Sequence, residues 1–582
     1  MSFQESILLA INLCSMFSKL PTFRPGKASS PQNGKQSPFH RFNSLVPNKS
    51  ASPASYDQQT YLNFDTLALA SYISDETSSL DSPRRYSTSE GQESLTPSSA
   101  FSGERNFDRS ALLPYDEAEE QFLEDYESYF LHLSVDNVRQ NQYPKLESQR
   151  LTYLDHATCP LFSRFQVEQH MQFLLEDTHP FLGSTNIRGK QSRVQYNHLD
   201  KTCEHILDLL NTNKDEYSVI FTSGISSCYR HFGEMHHFPK GSLVLTVPDH
   251  QKFIQHMVQG VAQSNAKIGT IPLKKNDLCI HVTEFQKLLR KRGWNSNGFG
   301  LLAYPAQSSS GMCHSLNWIA SAQQSGWKVL LDVSSCIPMV NVDLSLYQPE
   351  FVIGSLYHML GYPSNVGFLL VRRSSHSICR ETRSARLRIA ELPEDGKAVH
   401  ILTEGGSLNI HTFASLYFGL EHLQSIGVLA VQKRIKSLIS WLVKTFKSLK
   451  HKLDDKPMLQ LYGSSDLQHR GSILAFNVLD PTGSIFPARL VQQLAENNNV
   501  FLGTVNLCEP SLLDSQQKQD KQWESDSLRA TGYQIEVLRL SLGPVSSFED
   551  VYRLVQFLWR FRDEDYMSNE AAGYVEELEK GC

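Results

Sequence analysis

The sequence predicts an α/β protein: a large, mainly parallel sheet of seven strands buried under helices, followed by a smaller α+β domain. Seven short runs between residues 219 and 371 are apolar on both faces, and each is followed by a helical or looped stretch. That is the pattern of strands covered by helices on both sides of a parallel sheet. From about residue 395 the rhythm changes to long amphipathic helices with two further strands. Before about residue 110, Ser, Pro, Asn and Gln dominate.

The N-terminal region comes first. Stretches such as Ser78-Ser79-Leu80-Asp81-Ser82-Pro83 and Ser94-Leu95-Thr96-Pro97-Ser98-Ser99 bury too little apolar surface to offset the entropy of ordering. Residues 1–110 are therefore expected to be disordered. The run Ile7 to Leu13 is too short to span a bilayer and follows no basic residues, and no other apolar run reaches the roughly 18 residues a membrane helix needs. Lys19, Arg24, Lys27, Lys35, Arg41 and Lys49 are opposed only by Glu5 before Asp57. Such a basic, Ser-rich start suits a plastid or mitochondrial transit peptide; a plain tail on a cytoplasmic protein is the expectation it competes with. The net charge of −6 over 582 residues gives no global basic field for nucleic acid. The ten cysteines form no CxxC pair, which removes the zinc and thioredoxin signatures and suits a reducing compartment.

Order is expected from about residue 111. Phe122, Tyr126 and Phe130 recur every four residues among acids, which reads as an amphipathic helix. A second helix over 165–176 carries Phe165, Val167, Met171 and Leu174, and a third over 199–212 carries Leu199, Cys203, Ile206, Leu207 and Leu210, each a core-facing stripe. The seven strands centre on 219–221, 243–246, 268–271, 301–304, 329–331, 351–353 and 367–371, and with the first helices they make a large domain over 111–395. The smaller domain, 396–565, has helices at 407–425, 429–449 and 548–562 and strands at 472–476 and 536–540. Ser511–Ser527 reads as an exposed polar loop and 566–582 as a tail.

Ligands of open α/β sheets bind beyond the carboxyl ends of the strands, so the strand ends are the candidate site. Phe221-Thr222-Ser223-Gly224-Ile225-Ser226-Ser227 is a strand, a glycine turn and two hydroxyls opening a helix; it forms a phosphate cradle or simply a helix cap. In Asp249-His250 the imidazole would stack on a flat heteroaromatic ring, or the pair caps a helix and leaves a surface histidine. Asp332 ends a buried strand, where a carboxylate is costly unless paired. A protonated pyridine nitrogen is one natural partner, and nearby turn N–H groups are the other. Ser355-Leu356-Tyr357-His358 follows the sixth strand.

In this order and spacing the four elements resemble the class V branch of pyridoxal-phosphate enzymes, of fold type I. Within it the chain is most similar to the desulfurase-like N-terminal part of molybdenum cofactor sulfurases and plant proteins related to them. The likeness covers roughly 150–565. It is carried by Tyr153-Leu154-Asp155-His156-Ala157, Phe221-Thr222-Ser223-Gly224, Ala303-Tyr304-Pro305-Ala306-Gln307-Ser308, Leu331-Asp332, Ser355-Leu356-Tyr357, Gly361-Tyr362-Pro363, Glu404-Gly405-Gly406-Ser407 and Leu540-Ser541-Leu542-Gly543. The resemblance implies that Ser226, Ser227 and Ser355 hold the phosphate of pyridoxal phosphate, that His250 stacks on its ring and that Asp332 pairs with its nitrogen. It further implies that Ser407 reaches the phosphate of a partner subunit and that Arg539 grips a substrate carboxylate, a task suited to a bidentate fork. A homodimer, or a heterodimer with an active sulfurase, is the implied assembly; neither nucleic acid nor a membrane is.

Several positions depart from the family's pattern. The Schiff-base lysine should follow Tyr357, but His358 stands there, and no lysine lies between Lys328 and Lys397. An imidazole moves protons but has no primary amine with which to hold the cofactor covalently, so any binding is reversible and non-covalent. Cys508 matches one cysteine of the family's persulfide loop, without its companions. Ser309 and Ser310 occupy the place of an asparagine near the cofactor hydroxyl, and Ser335 that of a hydrogen-bonding amide. The further domain that docks the molybdenum cofactor in the sulfurases is not expected before Cys582. The sequence thus leads to a catalytically degenerate homologue with a binding or regulatory role. The alternatives are an active pyridoxal-phosphate-dependent sulfurtransferase, and a pocket turned to another phosphorylated ligand.

Overall fold

The computed structural model describes residues 112–176, 190–235, 238, 241–249, 254, 256–257, 266–274, 277–291, 300–375, 400–401, 411–452, 455–508 and 534–580. The expected disordered region, the Ser511–Ser527 loop, His250 and Ser407 lie outside them.

The strands in chain order are β1 (Thr152–Tyr153), β2 (Tyr217–Thr222), β3 (Leu243–Thr246), β4 (Lys267–Thr270), β5 (Gly300–Pro305), β6 (Lys328–Asp332), β7 (Phe351–Ser355), β8 (Gly367–Arg372) and β9 (His400–Ile401). Then come β10 (Leu459–Tyr462), β11 (Ile473–Val478), β12 (Val500–Phe501), β13 (Gly503–Cys508) and β14 (Gln534–Ser541). One eight-stranded sheet has the order β4-β3-β5-β6-β7-β8-β2-β9. Its pairs are parallel except where β8 runs against β7 and β2. All seven expected strands are in it; the eighth, β9, has two residues, too few to show a pattern.

The double-sided apolar pattern has its physical cause here. Successive side chains point to opposite faces of a strand. Phe221, Leu302, Leu331 and Val352 face one core, with Leu199, Ile206 and Phe413 from helices. Ile220, Leu301, Leu330 and Ile353 face the other, with Tyr229 and Phe232 of the helix Ile225–Met235.

The second sheet is antiparallel, ordered β10-β11-β14-β13, and packs with the helices Val428–Ser448 and Phe548–Leu558 in a further core. β1 pairs in parallel with β12, and Asp155 bridges to Ser541. The segment after β1 is thereby tied to the end of β14.

Two helix stripes differ from expectation. The first helix breaks at Tyr126 (φ −129°, ψ 68°) between Tyr115–Asp125 and Glu127–Phe130. The break shifts the phase, so Tyr129 (2% exposed) points inward and Phe130 (53%) does not. Tyr129 has a partner the four-residue spacing did not reveal: the buried Arg434 guanidinium lies 4.0 Å over its ring and donates to its hydroxyl at 2.8 Å. The helix Arg164–Glu176 buries Gln166 and Phe173 and leaves Met171 and Leu174 exposed. Gly419 makes room for the polar residue: a Cβ there would lie 2.4 Å from Gln166 Nε2, which donates to the Ser415 carbonyl at 2.8 Å. The third stripe, Leu199 to Leu210, is buried as expected.

Candidate active site

β6 delivers Asp332 to the carboxyl edge of the large sheet, 2% exposed. Its Oδ1 accepts the Ser334 N–H at 2.8 Å and its Oδ2 accepts the Tyr229 hydroxyl at 2.6 Å. Burial and the adjacent carboxylate push the Tyr229 phenol well above its ordinary pKa, so it stays a donor. Tyr229 was not among the sequence-predicted residues. The signal for it was the need of a buried carboxylate for a donor.

β7 ends at Ser355, whose Oγ accepts the His358 N–H at 3.2 Å as N-cap of the helix Leu356–Leu360. That cap engages one lone pair of the hydroxyl expected to meet phosphate. The helix ends on Gly361 in the left-handed region (φ 70°), where a Cβ would lie 1.9 Å from the Pro160 carbonyl oxygen. The turn so formed fixes His358. Burial lowers the His358 pKa, Asp332 opposes the shift and Arg539 adds to it. The imidazole therefore sits within electrostatic reach of both groups and is neutral near neutral pH.

The glycine turn is built as expected. Gly224 has φ +105°, and a Cβ there would lie 2.8 Å from Asn365 Oδ1. Ser226 is half-buried. The buried Ser227 Oγ lies 3.0 Å from Ser223 Oγ and accepts from Arg230 at 3.3 Å.

Arg539, on β14, donates from Nη2 to Asp155 Oδ1 at 3.1 Å and to the Thr158 hydroxyl; its buried Nε has no partner. Cys508 ends β13 opposite Gln534, and its side chain lies outside the described residues. Ser309 and Ser310, expected at the place of the family's asparagine, bind Asp249: both hydroxyls donate to it, as does the Ser310 N–H at 3.2 Å, and the neighbouring Ser308 Oγ donates at 2.7 Å. Ser335 and Gln307 exchange hydrogen bonds, Ser335 Oγ to the Gln307 carbonyl and Gln307 Nε2 to the Ser335 carbonyl, both at 2.7 Å.

His358, His156, Ser334, Ser335, Met339 and Ser541 line one pocket. Two of its polar atoms, Ser334 Oγ and His156 Nδ1, are buried without a partner. Burial, aided by Arg139, takes the His156 pKa down to about 3, so it is neutral. The structure thus brings Asp332, His358, Ser355 and Arg539 together with His156 and Tyr229. Cys159 is close as well, its sulfur accepting from the Tyr357 hydroxyl at 3.2 Å.

The chain is 23% identical over 498 residues to molybdenum cofactor sulfurase of Arabidopsis thaliana, covering 75% of this chain and 60% of that protein. It is 25% identical over 446 residues to the Bos taurus sulfurase, covering 70% and 49%. The matched part therefore spans half to three fifths of the length of these relatives. Cysteine desulfurase from Thermococcus onnurineus NA1 superposes with a TM-score of 0.55 at 16% identity, over 77% of this chain and 98% of that one. A lysine-to-alanine mutant of C-DES, with glycine covalently linked to its PLP cofactor, does so with 0.54 at 14%, over 73% and 99%. The fold is that of the cysteine desulfurases. Residues 167–554, two thirds of the sequence, match the profile of one family, and the chain belongs to it: aminotransferase class-V.

Proposed function

We propose that this protein is a catalytically degenerate homologue of the sulfurases, binding pyridoxal phosphate without a covalent link and acting as a binding or regulatory partner. The observation that carries the reading is His358. It lines the pocket, half-buried, on the first turn after β7, at the position the resemblance matches to the family's lysine.

The residues present fit the cofactor. Asp332 is a buried carboxylate at a strand end with neutral hydrogen-bond donors, and the orphaned Ser334 Oγ and His156 Nδ1 call for a polar ligand, since unpartnered buried polar atoms are costly. Asp332 would hold the ring nitrogen, and Ser226, Ser227 and the N–H groups of their helix the phosphate. When bound, the cofactor supplies an electron sink for bonds at an amino acid's α-carbon. His358, a neutral imidazole, is suited to hold or move a proton there, and Arg539 to meet a carboxylate. The C-DES mutant supports the idea that a pocket of this fold retains the cofactor after a lysine has been lost. A dimer, with itself or with an active sulfurase, and a cytoplasmic location complete the proposal.

The test is a titration of the purified protein with pyridoxal phosphate, then cysteine, with borohydride reduction and mass spectrometry. Reversible binding without fixation to the wild-type chain is expected, and His358→Lys should gain fixation and the visible absorbance of a covalently held cofactor. Fixation to a wild-type lysine in the pocket, or robust turnover of cysteine, would replace this reading with an active sulfurtransferase.

A further inference from the structure

We propose that Tyr229 is a positioning residue of the ring site, its hydroxyl fixing Asp332 and sharing its charge, so that a bound ring nitrogen meets an oriented but weakened proton acceptor. The inference rests on the cofactor reading above and deepens it.

The hydrogen bond is short, 2.6 Å, and both residues are buried, Tyr229 at 0% and Asp332 at 2% exposure. The Ser334 N–H takes the other oxygen, so each carboxylate oxygen has one fixed donor and its orientation is set. Among the described residues, the titratable groups that feel Asp332 are Tyr229 and Cys228 on the helix after β2, Cys336 after β6, and His358. Burial pushes Cys228 up to about 12 and Cys336 well up, and lowers His358. Near neutral pH all four are uncharged, so the carboxylate is held by neutral donors and keeps its attraction for a cationic ring N–H. A hydrogen bond to a charged group is stronger than one between neutral groups, and a carboxylate that accepts one is a poorer acceptor for the next proton. Tyr229 thus orients Asp332 and at the same time draws the ring proton less tightly than Asp332 alone would.

4-Deoxypyridoxine 5′-phosphate, which has the ring and phosphate but no aldehyde, separates these effects from any covalent chemistry. The full chain, its Tyr229→Phe and Asp332→Asn variants, the double variant, and protein with 3-fluorotyrosine at position 229 are titrated with it, and the ring-nitrogen pKa of the bound probe is read from its ultraviolet spectrum. Tyr229→Phe should raise that pKa by about one unit, a tenfold change in protonation. The more acidic fluorophenol, which preserves the fold, should lower it, and Tyr229→Phe should have no effect on the Asp332→Asn background. A ring pKa that is the same with tyrosine, phenylalanine and fluorotyrosine overturns the role of Tyr229 while leaving the cofactor reading intact. Failure of the wild-type chain to bind the probe at millimolar concentration overturns the cofactor reading and this inference with it.

Discussion

Arg539 and Asp155 are paired beside the pocket, with Arg539 Nη2 3.1 Å from Asp155 Oδ1, and Gly503 leaves the space they need. A Cβ on Gly503 would lie 2.4 Å from the Asp155 oxygen and 3.2 Å from Nη2. A carboxylate arriving at Arg539 therefore competes with one already in place. Asp155→Asn keeps the shape and removes the competing charge. Affinity for 3-mercaptopropionate should rise about tenfold, since hydrogen bonds to charged groups contribute about 1.5–3 kcal/mol. Intrinsic fluorescence titration measures it, and equal dissociation constants would show that the pair does not gate the arginine.

His358 lies between opposing charges, and the two effects separate by substitution. Asp332→Asn removes the group that raises its pKa, and Arg539→Gln removes one that lowers it. The imidazole pKa should fall in the first variant and rise in the second, with burial keeping both below the ordinary value near 6.5. Nitrogen-15 NMR titration of the ring reads both directly, and shifts of the same sign would contradict the geometry.

The large sheet was legible because its central strands, such as β2, β5 and β7, are buried on both faces and announce themselves as apolar runs. The first helix was misphased because the backbone break at Tyr126 leaves no mark on a four-residue count. In the site, Asp332 could be read from its place at a strand end, whereas the roles of His358 and Arg539 came only with the resemblance to the family. Tyr229 could not, because a tyrosine among apolar helix residues reads as core and its partner lies 103 residues further on. Asp249 shows the same limit: Ser309 and Ser310, 60 and 61 residues away, look like a missing asparagine until the fold closes them around the carboxylate.

Arg139, on the helix Ser134–Gln142, holds Asp550 in a bidentate ion pair at 2.7 and 2.9 Å, with side-chain exposures of 6% and 1%. It also binds Glu147 at 3.0 Å and the Val545 carbonyl at 3.0 Å. Breaking a buried pair leaves an uncompensated charge, so Arg139→Ala should cost about 3–5 kcal/mol. The exposed pair Lys287–Glu284, at 66% and 48%, is the control: Lys287→Ala should change stability by less than about 1 kcal/mol. Urea unfolding of the two variants gives the comparison, and equal losses would mean that Asp550 finds another partner.

Acid stability should follow the buried histidines. His156 and His422 have pKa values lowered to about 3 and about 4, chiefly by burial, against about 6.5 in the unfolded chain. Below pH 6.5 the unfolded state binds protons the native state refuses, so stability is full above that pH and falls as pH drops toward these native values. Each such histidine contributes a slope of about 1.4 kcal/mol per pH unit in that window. Asp343, whose carboxyl is held below its ordinary value by the Ser345 hydroxyl first of all, loses its contribution only at lower pH, through the usual carboxylate range and below. A decline that begins between pH 6.5 and 5 is therefore a histidine effect. His422→Gln, which keeps a hydrogen-bonding group near the Tyr143 hydroxyl 3.3 Å away, should flatten the decline by about 1.4 kcal/mol per pH unit and leave the carboxylate-driven loss below pH 4 unchanged. Urea midpoints at pH 7.5, 6 and 5 decide it: parallel curves for wild type and variant would mean that His422 is protonated in the native state and that its burial is relieved by opening of the contact with Tyr143.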